Sequence, residues 1–352
     1  GLLLAIVLAS PNYGQTIYEF DGGGVPNDDF LVAANWNDFL GGPDAVPGPL
    51  DQARIHSGFV VKYDTAVTTT VSGLKVGSDT AGNPGPFGTP GTLNMSDGTL
   101  IVTGGGDSFE IGRACCDGTG LVNMTGDAVL EIQGSDPIIG DRDQGTLNIG
   151  DTASVISTRD GGAYWRIGNF GPSIDAGLEG DGLLNVTDNG SFSAHVIFLG
   201  STDGDGEVRV SDNGSVTLTD NLVLNSNVEM PNRSALVHMI GSNASLSALN
   251  LESANGASQV HNQFEFTADS GGVSPITLGN AVNITNNDLT VNLNGFSLAI
   301  GDTLLLFDAA PGQIYGEFAS SVVNGSVVPH RVIYDNVNGD IVVQRVPEPS
   351  AM

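Results

Sequence analysis

From about residue 66 the chain alternates apolar and polar positions in short runs, and the runs recur. The clearest blocks are GTLNMSDGTL from Gly91, GLVNMTGDAVL from Gly120, GTLNIGDTASV from Gly145, GLLNVTDNGSF from Gly182 and GEVRVSDNGSV from Gly206. Their starts lie 29, 25, 37 and 24 residues apart. The short spacings set a basic coil of about two dozen residues, and the long one places an insertion in the turn NFGPSIDAGLEGDG, because insertions in repeat arrays map to turns. A degenerate copy, SALVHMIGSNASL, starts at Ser234.

Alternation with period two is the mark of a strand with one buried face. It points Leu93 with Met95, Val122 with Met124, Leu147 with Ile149, Leu184 with Val186 and Val208 with Val210 inward as stacked columns. Between them Asn94, Asn123, Asn148 and Asn185 face outward, one per coil, where side-chain amides can form a ladder. A second signal is an aliphatic residue followed by glycine: Ile111-Gly112, Ile139-Gly140, Ile167-Gly168 and Leu199-Gly200. One coil therefore holds two or three short strands separated by Gly, Asp and Asn turns, and no helical period competes. A single coil cannot bury its apolar face, so coils must stack about 4.8 Å apart, and six or so would form a rod roughly 30 Å long. The fold class expected is all-β, a β-solenoid (β-helix-like) repeat array with an irregular N-terminal cap and a C-terminal β region.

The segments divide accordingly. Residues 1–14 open on GLLLAIVLAS, which matches the apolar core of a secretory signal peptide and is too short to span a membrane; a buried first strand is the other reading. Residues 15–65 carry Phe30, Trp36, Phe39 and several prolines without a period, as expected of a cap on the first coil. Residues 66–262 are the repeats. Residues 263–345 read as further β structure that closes the second end, with a hairpin signal from Asp335 to Gly339. Residues 346–352 form a separate tail.

Composition narrows the function. There are 50 glycines and only 6% aromatic residues, so small and aliphatic side chains must do most of the packing. With 11 Lys and Arg against 40 Asp and Glu the net charge is -29, which disfavours nucleic acid and anionic lipid as partners and favours divalent cations or basic surfaces. Adjacent Cys115 and Cys116 do not make an ordinary disulfide framework. They read as small residues at a coil corner, with a redox switch or an intermolecular bridge as alternatives.

Chemistry is sparse. His56, His195, His238, His261 and His330 show no metal-ligand spacing, and no nucleophile elbow, phosphate loop or dinucleotide fingerprint is present. Asp97, Asp151, Asp188 and Asp212 each stand six residues after their block's glycine, which suits a turn that accepts backbone hydrogen bonds. Such a column of like charge asks for compensation. Oxygen-rich turns at Asp203-Gly-Asp205-Gly-Glu207, Asp141-Arg-Asp143 and Glu179-Gly-Asp181 are the candidates for a hard cation such as calcium, with Asp203, Asp205 and Glu207 the first choice. No enzymatic activity and no other cofactor are expected. A polysaccharide lyase or hydrolase on the same scaffold would need one irregular coil with clustered Asp, Arg and His.

The repeat blocks resemble the short β-repeats shared by autotransporter (type V secretion) passenger regions and bacterial PEP-CTERM proteins. The flanking stretches AANWND and GDTLLLFDAAPGQIYGEF are similar to regions around such repeats, and Val346-Pro347-Glu348-Pro349-Ser350 resembles the start of the PEP-CTERM sorting signal. The resemblance implies a secreted bacterial protein at the cell surface or outside the cell, handled by a membrane sorting and processing enzyme and associated with exopolysaccharide. The helix and basic cluster that follow the motif in that family do not appear in this sequence. The function expected is structural or adhesive, with extracellular polysaccharide or neighbouring surface proteins as partners. The alternatives are the carbohydrate-active enzyme and a self-assembling surface protein.

Overall fold

The structure is a computed structural model that describes residues 15–23, 28–77, 89–113, 118–134, 136–141, 143–158, 162, 164–169, 180–200, 204–225, 234–253, 261–326 and 328–347. Cys115, Cys116, residues 1–14 and Glu348, Pro349 and Ser350 lie outside the described residues. Apart from one short 3-10 turn at Ala33–Asn35, the described elements are strands. They form three sheets of ten, eleven and twelve strands, wound as a parallel β-solenoid.

Each central coil contributes one strand to each face, in the order Gly145–Ile149, Ser154–Ser157 and Tyr164–Ile167. These strands define faces 1, 2 and 3. On face 1 the block glycines stack in register, Gly91 on Gly120, Gly145, Gly182 and Gly206, and every inward aliphatic named above falls in one of two columns. Those residues are at most 1% exposed. Burying one such side chain contributes about 1.5–3 kcal/mol, and the parallel ladders satisfy the backbone that burial strips of water.

The turns explain the repeated polar residues. Gly126, Asp151, Asp188, Asp212 and Gly241 occupy one turn position after the face 1 strand and share positive φ, between 51° and 81°. Gly and Asp are among the few residues that accept this conformation. Two of these aspartates are held by hydrogen bonds within the protein: Asp151 Oδ2 accepts from Gly126 N–H at 3.1 Å, and Asp212 Oδ2 from Thr187 Oγ1 at 2.9 Å. The aliphatic-glycine signal marks the other corner, where Gly77, Gly112, Gly140, Gly168 and Gly200 have φ between 64° and 75°.

Parallel stacking runs past the sequence repeat at both ends. Gln52–Ile55 and Val60–Tyr63, within 15–65, pair in register with Gly73–Val76 and Gly91–Met95. Beyond residue 262, Asn287–Asn292 and Ser320–Asn324 continue face 1. The ten strands of face 1 span roughly 43 Å, at about 4.8 Å per step, which exceeds the rod expected from the blocks alone.

Aromatic residues cluster at both ends and once within the array, where Trp165 packs between Phe109 and Phe192. Phe30 and Trp36 are fully buried, stack edge to face at 4.9 Å, and cover the first coil together with Phe20 and Tyr63. Phe39, expected with them, is 40% exposed. At the other end Phe264, Phe266, Phe307 and Phe318 pack together, and the hairpin signal is confirmed: His330–Asp335 pairs antiparallel with Asp340–Arg345, which closes on Thr303–Asp308.

Candidate functional site

Face 1 presents three outward features, each built by register. The first is the asparagine ladder. Asn123 Nδ2 donates to Asn94 Oδ1 at 2.8 Å, Asn148 to Asn123 at 2.8 Å, and Asn185 to Asn148 at 3.1 Å. Asn148 both donates and accepts, so Asn148→Ala is expected to lower stability by about 1–2 kcal/mol, near 1 kcal/mol for each lost bond. Urea denaturation measures this, and a midpoint equal to that of the parent would show the amides are equally well solvated by water.

The second feature is the charged continuation of the same column. Asn185 pairs in register with Arg209, then His238, then Glu265. His238 Nε2 lies 3.0 Å from Thr267 Oγ1 and 3.8 Å from Glu265 Oε1. Burial holds its ring below the usual histidine range, against the pull of Glu265.

The third is a groove of about 330 Å³ that crosses four coils at the leading edge of face 1. Its lining is two columns. Gln144, Asp181, Asp205 and Ser234 precede the first stacked position of the face, and Thr146, Leu183, Glu207 and Leu236 follow it. Asp205 and Glu207, singled out from the sequence as cation ligands, are thus brought together with Asp181 from the neighbouring acidic turn. Asp203 lies outside the described residues. The two described carboxylates have protein partners: Asp205 Oδ1 accepts from Ser234 N–H at 2.6 Å, and Glu207 Oε1 is 2.8 Å from an Arg209 guanidinium nitrogen. Among the described residues no group of three or more His, Cys, Asp or Glu side chains is placed to hold a metal ion. What the groove offers is acceptors fixed by neighbours, an amide, a nearby guanidinium and the flanks of Leu183 and Leu236, repeated along the stacking axis. That combination suits an extended ligand bearing hydroxyl groups beside apolar C–H surface.

The sequence reading missed the most enclosed charge cluster, on face 3. Lys75 and Glu110 sit opposite each other in register, with Arg54 beside Lys75 on the preceding strand. Glu110 is fully buried, 2.7 Å from Lys75 Nζ, and accepts from Arg113 Nη1 at 2.6 and 2.7 Å. Burial pushes the Lys75 ammonium below the usual lysine range, opposed by Glu110. The signal was present: Lys75 is one of only two lysines and stands inside the apolar run Gly73–Val76. A carboxylate this enclosed serves the scaffold and not a dissolved ligand.

Of the segment Val346–Ser350, Val346 and Pro347 are described. They follow directly on the last strand, Asp340–Arg345, and Val346 N–H bonds Pro329 O at 3.1 Å.

Fold and surface together define a three-faced parallel β-solenoid with an acidic groove and an amide ladder on one face. Compared with known proteins, the chain matches no family model, no curated protein and no solved structure.

Proposed function

We propose that the chain is a secreted or cell-surface structural and adhesive solenoid of bacterial origin, and that face 1 holds extracellular polysaccharide without cleaving it. The observation that carries this reading is the groove, which lays polar groups along four successive coils with leucine flanks on two of them, Leu183 and Leu236. A polymer lying along the axis meets a polar group at each step of about 4.8 Å, so weak contacts add over its length. The engaged state of Asp205 and Glu207 supports fixed recognition in preference to proton transfer. The resemblance of Val346–Ser350 to a sorting signal, directly after the strand Asp340–Arg345, supports surface display through a membrane processing enzyme.

The test is retention of the chain on a panel of neutral and acidic polysaccharides, with and without calcium, combined with an assay for new reducing ends. Retention without cleavage is expected, and Leu183→Lys with Glu207→Gln is expected to weaken it at least about tenfold, near 1.4 kcal/mol. Cleavage would overturn the non-enzymatic reading. Retention untouched by the double substitution would remove the groove from it, and no retention on any polymer would leave a purely structural role.

A further inference from the structure

A stacked solenoid has two open ends, and exposed strand edges there are templates for another chain unless they are blocked. The two ends of face 1 are treated differently. At the N-terminal end the edge of Val60–Tyr63 is already occupied: Phe30 N–H bonds Lys62 O at 2.8 Å, Lys62 N–H bonds Asp28 O at 2.6 Å, and the Lys62 ammonium is 2.5 Å from the Asp28 carboxylate. Face 3 ends there in the short antiparallel strand Trp36–Asp38, which carries a charge, Asp38.

At the C-terminal end the last described strand of face 1 is Ser320–Asn324, paired among the described residues on one side only, with Asn287–Asn292. Its sequence, SSVVN, has no charge and no proline, the two devices that most often protect an edge. Two of its polar side chains are tied back to the preceding coil, Ser320 Oγ to Asp288 Oδ1 at 2.7 Å and Asn324 Nδ2 to Asn292 Oδ1 at 2.9 Å. Val322, opposite Thr290 on the outward side, is 50% exposed. Tyr315 and Val337, on the last strand of face 3 and at the tip of the closing hairpin, are exposed at the same end. The hairpin tip is tied to that strand through Asn336, whose backbone carbonyl accepts from Gly312 N–H and whose Oδ1 accepts from Ile314 N–H.

We propose that Ser320–Asn324 pairs antiparallel with the same strand of a second copy, giving a closed two-fold dimer joined at the C-terminal ends with the two Val322 residues at the dyad. Head-to-tail stacking of face 1 on face 1 would require the edge of Val60–Tyr63, which residues 28–30 hold; the outer strand Thr68–Val71 at that end belongs to face 2 and is not aligned with Ser320–Asn324. For face 1 against face 1 the isologous pairing is the arrangement left, and it closes after two copies. Each copy carries a net charge of -29, so repulsion opposes association and salt screens it.

The experiment is light scattering of the whole chain across a concentration series at low and at 0.5 M salt (about 4 Å screening length), with hydrogen exchange over residues 320–324. Expected are a dimer that strengthens with salt, slowed exchange of 320–324 in the dimer, and loss of both in Val322→Lys, which places like charges opposite each other and weakens the dimer at least about tenfold. Val322→Thr should keep the dimer. A monomer at every concentration would overturn the proposal, as would a dimer indifferent to Val322→Lys, growth into filaments, or slow exchange of 320–324 in a monomer, which would mean the chain covers its own edge.

Discussion

Replacing Glu110 by alanine is expected to destabilise the protein by about 3–5 kcal/mol, the largest effect of any single substitution considered, because it leaves Lys75 buried without its counter-charge. Lys75 is 6% exposed and Glu110 fully buried, so water cannot take over the role of the carboxylate. The pairing itself is a different matter. Exchanging both partners at once, Lys75→Met with Glu110→Leu, is expected to restore most of the lost stability, since the desolvation of two charges offsets much of their attraction. Urea midpoints for the parent, the two single variants and the double variant complete the cycle. A loss below about 1 kcal/mol for Glu110→Ala would mean that solvent reaches the cluster, as it does for an exposed ion pair.

The second large effect belongs to a glycine. Gly112 has φ of 72°, and a Cβ there would stand 2.3 Å from the carbonyl oxygen of Gln144 in the next coil. Gly112→Ala is expected to cost about 3 kcal/mol or more, of which about 1–2 is the left-handed backbone and the rest the forced separation of coils. Gly106 separates the two terms, having φ of 66° with nothing within 4 Å of a Cβ. Gly106→Ala should therefore show the backbone term alone, about 1–2 kcal/mol. Equal midpoints for the two variants would show that the coil spacing gives way at Gly112 and that the glycine serves conformation only.

That corner also explains where the repeat was legible and where it was not. In the first coils Gly112, Gly140, Gly168 and Gly200 stand close against Gly120, Gly145, Gly182 and Gly206, and a Cβ on Gly120 or Gly145 would meet the backbone nitrogen of the facing glycine at 2.3 Å. Both positions are held to glycine, and the eye finds the blocks by them. After Gly206 the leading position becomes Ala235, Asn262 and Asn287 in register, while Gly200 gives way to Asn225. Asn225 donates to Asn262, Asn262 to Ser253 Oγ, and Ser253 Oγ to Asn287 Oδ1, all buried. Hydrogen-bonded polar side chains fill a corner that had been closed by the absence of side chains, with only the Asn287 Nδ2 left without a partner among the described members. The period therefore disappears from the sequence while the strands go on stacking.

The candidate site divides along similar lines. Asp205 and Glu207 were visible as an acidic turn, but the sequence could not say that Asp205 would be bonded by Ser234 from 29 residues away or that Glu207 would meet Arg209. The block alignment set Gly182 between Gly145 and Gly206, but only the structure shows that Asp181 and Asp205, each one residue before its block glycine, line one groove. At the Glu110 cluster the sequence marked only Lys75, inside an apolar run; its partner was illegible because Lys75 and Glu110 are far apart along the chain and adjacent across one strand pair.

The sequence by itself determined the local rules of this protein: period-two strands, left-handed turns at Gly and Asp, and the inward aliphatic columns with an amide ladder outside them. These follow from sterics and burial within a few residues, which is information each block carries alone. Only the tertiary structure decided how many coils stack, which edges are closed, which acidic turns line one groove and where charge is buried. Those depend on which strands lie next to one another, and in a solenoid neighbours in space are a whole coil apart in sequence.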